Sequence, residues 1–361
     1  MKELILHAGV HKTGSTTIQK ALAAAPEFLA DRGLYYPAMR CGEEDFFNHS
    51  VALFTLFSKA PETHPTNVRL GVDINKAKKD YVRQLEDQLA VRPNRDVVLS
   101  GEEMSSLRAD ELTAMRAFLE GFGRTLRVVV YVRRPFSHLT SVWSEKARGG
   151  ATLADLPYPR SGPERLQDLE AAFGEIEVVS YEAAAANERG LFADFWTRLG
   201  RDADDMPAAP LENRSGGDHA VRLISGINAQ QPVFLTGADG ARSANPARRP
   251  WDTDLFLDLP GPRFTPTEAE AGRFLKRLEV DNAWFRERYG EAFCDPEIAF
   301  SDPEPWGEAQ LAALRDILAS APEHLRLLAY GVISRLEELD AGLLRGVFFT
   351  REDRGLNRAS R

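Results

Sequence analysis

The stretch that decides the fold is Leu4-Ile5-Leu6-His7-Ala8-Gly9-Val10-His11-Lys12-Thr13-Gly14-Ser15-Thr16-Thr17. Its apolar opening predicts a buried strand over residues 3–7, and the Ala-rich sequence after it predicts a helix over 16–25. The loop between them carries Gly9 and Gly14, which let the backbone turn tightly and approach a ligand. Amides of Gly14, Ser15, Thr16 and Thr17 would then point at an anion, helped by the positive end of the helix dipole. Lys12 adds a point charge, and Ser15, Thr16 and Thr17 add hydroxyl donors. An N-cap alone would explain one Ser or Thr here, but it requires neither the lysine nor so many donors together. The sharper competitor is a triphosphate loop, G-x-x-x-x-G-K-[ST], whose lysine follows the second glycine. Here Lys12 precedes Gly14, which counts against an ATPase.

Outward from this loop, strand and helix patterns alternate. A surface helix is expected over 75–91, with Tyr81, Leu85 and Leu89 four apart on one face. A buried strand follows over 96–100, a helix over 109–119, the strongest strand over 126–132 and a helix over 136–148. A further strand over 176–181 and a helix over 191–199 complete the series. This alternation predicts an α/β fold: a three-layer, P-loop-like core with a central parallel sheet. After about Ala208 the texture changes to helices near 219–228, 267–289, 307–319 and 323–339, separated by Pro- and Gly-rich loops without a strand pattern. The expected organisation is a core over 1–210 and a helical C-terminal extension or lid over 211–361, packed on the core within one domain. The segment 230–264 is long enough that it should be either functional or disordered. The polar tail from Arg351 is expected to be loosely held.

Composition narrows the function classes. With 361 residues, 43% of them hydrophobic, the chain can bury a sizeable core. A net charge of −9 argues against a general nucleic-acid or anionic-membrane binder, while a local cationic cluster could still hold an anion. No stretch approaches the ~20 apolar residues of a membrane span, and no targeting segment is visible, so a soluble, cytoplasmic protein is expected. Cys41 and Cys294 are far apart in sequence and read as free thiols in a reducing compartment. No cluster has zinc-like spacing, so no catalytic metal is expected.

A second anion motif lies in Val128-Val129-Val130-Tyr131-Val132-Arg133-Arg134-Pro135, where a strand ends in arginine, with Ser141 eight residues after Arg133. A guanidinium at the strand tip and a hydroxyl two turns into the next helix can meet on one phosphate. Taken alone, Arg133 also reads as a solvated strand end. A base for an acceptor proton should lie at the carboxyl edge of the sheet. Glu102, with Glu103 beside it, stands just past the strand Val97-Val98-Leu99-Ser100, although both also read as first-turn acids of a helix. His49, before the apolar stretch 50–57, is the other candidate base, and His11 is a third or a structural hydrogen-bonder. Lys146 and Arg148 face an anionic acceptor or water.

The first loop resembles the 5′-phosphosulfate loop of sulfotransferases that use 3′-phosphoadenosine 5′-phosphosulfate (PAPS), especially bacterial members whose loop reads like HxGxHKTGSTxIQ. His7, Gly9, His11, Lys12, Thr13, Gly14, Ser15, Thr16, Ile18 and Gln19 fit that pattern. The resemblance implies a PAPS-dependent sulfotransferase that moves a sulfonate group by in-line displacement to an acceptor hydroxyl, with glycans or small glycoconjugates as the family-level acceptors. It implies that Gly9, His11, Lys12, Thr13, Gly14, Ser15, Thr16 and Thr17 cradle the phosphosulfate, with Lys12 on the bridging oxygen. Arg133 and Ser141 look like the family's 3′-phosphate site, and Ser100-Gly101-Glu102 like its Ser-x-Glu base motif. Asn213-Arg214-Ser215 is similar to a late loop that closes over the donor, which would add Arg214 to the cofactor contacts. The family commonly has Asn or Asp where Arg134 stands, so Arg134 is at most auxiliary. Two rival functions stay open: a P-loop nucleotide kinase or triphosphatase, and a non-catalytic nucleotide-binding protein of the same fold.

Overall fold

In the computed structural model, which describes residues 2–41, 44–90, 92–208, 216–236, 242–336 and 347, the strands are β1 (Glu3–His7), β2 (Leu34–Tyr35), β3 (Met39–Cys41), β4 (Glu44–Phe46), β5 (Asp96–Ser100), β6 (Thr125–Val132), β7 (Glu177–Ser180), β8 (Phe234–Thr236) and β9 (Arg242–Ala244). Five of them form one sheet in the order β2-β5-β1-β6-β7, with every pair parallel. β1 is central, with Leu4 opposite Val97 on one side and Leu126 on the other. The period of two inside each strand sends side chains to opposite faces. Leu4, Leu6, Val97, Leu99, Val128 and Val130 join a core with helices Ser50–Phe57, Ile74–Ala90, Ala109–Glu120 and Gly162–Phe173. Ile5, Val98, Val129 and Tyr131 join a second core with helices Ser15–Ala23 and Leu191–Arg198. Because both faces are covered, these strands read as continuous apolar runs rather than alternating ones. The three-layer α/β core expected from the sequence is what forms.

β3 and β4 make a short antiparallel hairpin that the sequence reading did not anticipate, and two- and three-residue strands such as β2 are too short to show a period. Cys41 and Cys294 are free and buried. Among the described residues, no helix is long and apolar enough to cross a membrane.

The chain divides into two compact units. The first comprises 1–138, 160–212 and 278–296 and contains the parallel sheet; the second comprises 139–159, 213–277 and 297–361. Within the second, helix Asp218–Gln230 buries Ala220, Leu223, Ile224 and Ile227 with Phe256, Leu257 and residues of helices Glu308–Ser320 and Glu323–Ile333. The expectation of no strands in this region is corrected by the antiparallel pair β8 and β9, each three residues long. Part of segment 230–264 is tied down by Arg248. Its buried guanidinium binds Asp252, the Asn228 side chain and the Gln231 carbonyl. The single helix expected over 267–289 is broken by a 3-10 turn, Gly272–Phe274, before Leu275–Tyr289 begins.

Candidate functional site

Past His7, the chain stays on the sheet for two more rungs: Ala8 and Val10 donate to the carbonyls of Val129 and Tyr131, each at 3.0 Å. It then turns away. The Thr13 hydroxyl donates back to the Val10 carbonyl at 2.6 Å and is fully buried, so it closes the loop instead of facing a ligand. Gly9 is required by that closure, because a β-carbon there would lie 2.9 Å from Thr13 Oγ1. Lys12 and Gly14 both adopt left-handed backbone, with φ of 71° and 72°. For lysine this is a strained conformation, of the kind that persists only where the surroundings impose it. Alternation of left- and right-handed residues curls successive amides into an anion-binding concavity. Helix Ser15–Ala23 starts here with no side-chain cap and no acid in its first turn. The Thr17 amide closes on the Gly14 carbonyl at 3.0 Å, so the amides of Gly14, Ser15 and Thr16 are the ones that open the helix, and the glycine N-cap offers them no side chain.

Arg133, at the tip of β6, donates from Nη1 to the Lys12 carbonyl at 3.2 Å. The loop and the arginine of the second anion motif are thereby brought side by side within the first unit. The Arg133 guanidinium also lies over Tyr181, 5.0 Å from the ring centre, and its Nε is 3.6 Å from Glu182. Sequence reading missed Glu182, whose signal is an acid just after the apolar end of β7. Burial pushes its carboxyl up, against the opposing effect of Arg133 and of the Arg134 amide, which donates to it. Arg134 turns its side chain to the Ala292 carbonyl. Ser141 is half-buried on helix Pro135–Arg148, in the part belonging to the second unit. Arg214 lies outside the described residues. In the second unit, Lys146 is exposed, whereas Arg148 is committed to a bidentate pair with Asp254 at 2.7 and 2.9 Å.

Beyond β5 the chain turns through Gly101, where a β-carbon would sit 2.6 Å from the Ser50 amide nitrogen. Glu102 and Glu103 follow on a 3-10 turn. The Ser15 hydroxyl donates to Glu102, which fixes this carboxylate at the start of the loop helix. That contact corrects the expectation that Ser15 presents its hydroxyl proton to a phosphate. His11, Glu102 and Glu103 each offer a donor atom within 4.8 Å of the other two. Glu103 is pushed up by burial and by the charge of Glu102, with His11 opposing. No spacing rule could find this group, since its members lie on a loop and a strand tip more than ninety positions apart.

His49 is not a base in this fold. Its Nε2 faces the Pro37 carbonyl at 2.7 Å and its Nδ1 accepts from the Ser100 amide at 2.9 Å, so both ring nitrogens are spent. Ser100, buried, bonds His7 and Gln19 beneath the loop and is withdrawn from any donor contact. Burial drives the His7 ring down to about 3 and the His49 ring down to about 4. It lowers His138 as well, with help from Arg165, His11 and Arg133.

These depressions carry a pH prediction. An unfolded histidine binds a proton near pH 6.5, while the folded ones stay neutral to much lower pH, so below about pH 6.5 the unfolded state holds more protons. Their stabilisation is fully present above that value and is lost progressively as pH falls from it to the folded values. For His7 and His49 the loss at pH 5 is about 2 kcal/mol each. Half-buried Glu182 and buried Asp295, both raised by desolvation, act in the opposite sense, so a variant comparison is needed. His49→Gln should show a urea-unfolding free energy that falls less than wild type between pH 7.5 and 5. Equal falls in both proteins would show that His49 is not held neutral.

No protein-family model and no curated protein matches the sequence. Among solved structures, the chain is similar to the sulfotransferase from Alicyclobacillus acidocaldarius, at 14% identity, over 59% of this chain and 87% of that one, with a TM-score of 0.39.

Proposed function

We propose that the chain transfers a sulfonate group from PAPS to an acceptor hydroxyl, using the loop at Lys12 and the guanidinium of Arg133 as two grips on one nucleotide. The observation that carries this reading is the 3.2 Å hydrogen bond from Arg133 to the Lys12 carbonyl, which sets a second cationic group beside an uncapped helix start. The loop amides and Lys12 suit the 5′-phosphosulfate, and Arg133 suits the 3′-phosphate that distinguishes PAPS from ordinary adenine nucleotides. In the transfer, the acceptor oxygen attacks sulfur, the bond from sulfur to the bridging oxygen breaks, and the nucleotide leaves as 3′-phosphoadenosine 5′-phosphate. Lys12 neutralises charge on the departing phosphate, and Glu102, held by Ser15, receives the acceptor's proton. Catalysis of such a displacement rests on positioning and charge, by analogy with phosphoryl transfer.

One observation favours a second reading, a metal-dependent triphosphatase: a loop hydroxyl bonded to a strand-tip carboxylate. Against it stands the lysine before Gly14, not after it. Single-turnover assays with labelled PAPS and a panel of hydroxyl acceptors separate the two. Wild type should pass label to an acceptor, and Glu102→Gln should slow that step by ~10²-fold or more with donor affinity little changed. Hydrolysis of ATP with Mg²⁺, and no labelled acceptor, would favour the triphosphatase instead.

A further inference from the structure

We infer that His11, Glu102 and Glu103 form a binding site for one divalent ion of the zinc, cobalt or manganese kind. Three donor atoms, an imidazole nitrogen and two carboxylate oxygens, lie within 4.8 Å of one another. Around a single ion, ligands at about 2.1 Å are separated by about 3.4 Å, a closure within reach of side-chain rotation by two half-buried glutamates.

Two buried polar atoms without a hydrogen bond lie at this cluster. Glu103 Oε2 is buried and makes no hydrogen bond, which is costly for a carboxylate set beside a second one. His64, only 6% exposed, likewise has no hydrogen bond at Nε2, which stands 3.9 Å from Glu103 Oε1. The His64 Nδ1 accepts from the Thr66 amide at 3.1 Å, so the neutral ring carries its proton on Nε2 and aims it at Glu103. At 3.9 Å the two are not yet bonded, and a small closure would let His64 orient Glu103 as an outer residue orients a metal-binding carboxylate. Ser50 hydrogen-bonds the Glu103 carboxyl, yet Oε2 is left without any such bond. A cation shared with Glu102 and His11 supplies what is missing.

The mixed nitrogen and oxygen set favours a borderline transition ion over calcium or magnesium, which take oxygen ligands. Three protein ligands leave at least one coordination position open. An ion held there occupies a Glu102 lone pair that would otherwise receive the acceptor's proton, so the two roles are alternatives at one carboxylate. The inference does not rest on sulfonate transfer, and its test uses neither donor nor acceptor.

Full-length, untagged protein would be stripped with chelator and titrated with Co²⁺, following visible absorption and bound metal per chain. The expected result is one ion per chain, with affinity lowered at least ~10-fold in His11→Ala and in Glu103→Gln. An exposed histidine far away in sequence serves as the control: His324→Ala should bind like wild type. Zinc anomalous scattering from wild-type crystals reads the site without any substitution, so a variant that fails to fold does not decide the question. Anomalous density bounded by His11, Glu102 and Glu103 supports the site. Cobalt binding unchanged in both folded variants, or zinc density only elsewhere, would overturn it.

Discussion

Lys12→Ala is expected to lower sulfonate transfer by about 10²–10³-fold, the usual cost of removing one group that meets charge developing in a transition state. The departing nucleotide gains negative charge as the sulfur–oxygen bond breaks, and Lys12 is the cation that the loop supplies for it. The loss should fall on the chemical step more than on donor binding, because the amides that open helix Ser15–Ala23 remain. Folding should be little affected. Lysine and alanine both bear a β-carbon, so the left-handed strain at φ 71° is common to both proteins. Transfer rates from single turnovers, with thermal unfolding alongside, provide the check. A variant within a few-fold of wild type would remove Lys12 from the chemistry.

Arg133→Ala should weaken 3′-phosphoadenosine 5′-phosphate by about 10–150-fold, the equivalent of ~1.5–3 kcal/mol for a hydrogen bond to a charged group. Adenosine 5′-phosphate, which lacks the 3′-phosphate, should lose far less. The comparison matters because the substitution does other things: it breaks the bond to the Lys12 carbonyl and leaves Glu182 without its guanidinium. Those effects act on both nucleotides, so the difference between their losses isolates the 3′-phosphate contact. Calorimetry with the two ligands measures it. Equal losses would move that phosphate to another residue.

Legibility in the sequence followed physical distance along the chain. β1, β5 and β6 are apolar runs with helices after them, so their existence as strands of a parallel sheet could be anticipated from local pattern, whereas their order and register could not. The loop at Lys12 was equally readable, since glycines, lysine and hydroxyls are consecutive. What could not be read was which side chains the loop spends on itself. Thr13 and Ser15 looked like ligand donors, yet one closes the loop on Val10 and the other holds Glu102. His49 looked like a base for want of knowing that the Pro37 carbonyl and the Ser100 amide would meet its two nitrogens. Glu103, His64 and Glu182 went unremarked or undervalued because their importance comes only from burial and from partners far off in sequence. Short strands such as β8 and β9 failed for a different reason, being too brief to repeat any pattern.

The central claim is that one doubly phosphorylated adenosine is held by the Lys12 loop and Arg133 together. A crystal structure with 3′-phosphoadenosine 5′-phosphate tests it most directly. The 5′-phosphate should lie on the amides of residues 14–16 beside Lys12, with the 3′-phosphate hydrogen-bonded to Arg133. A nucleotide seated elsewhere, or one whose 3′-phosphate turns away from Arg133, would contradict it.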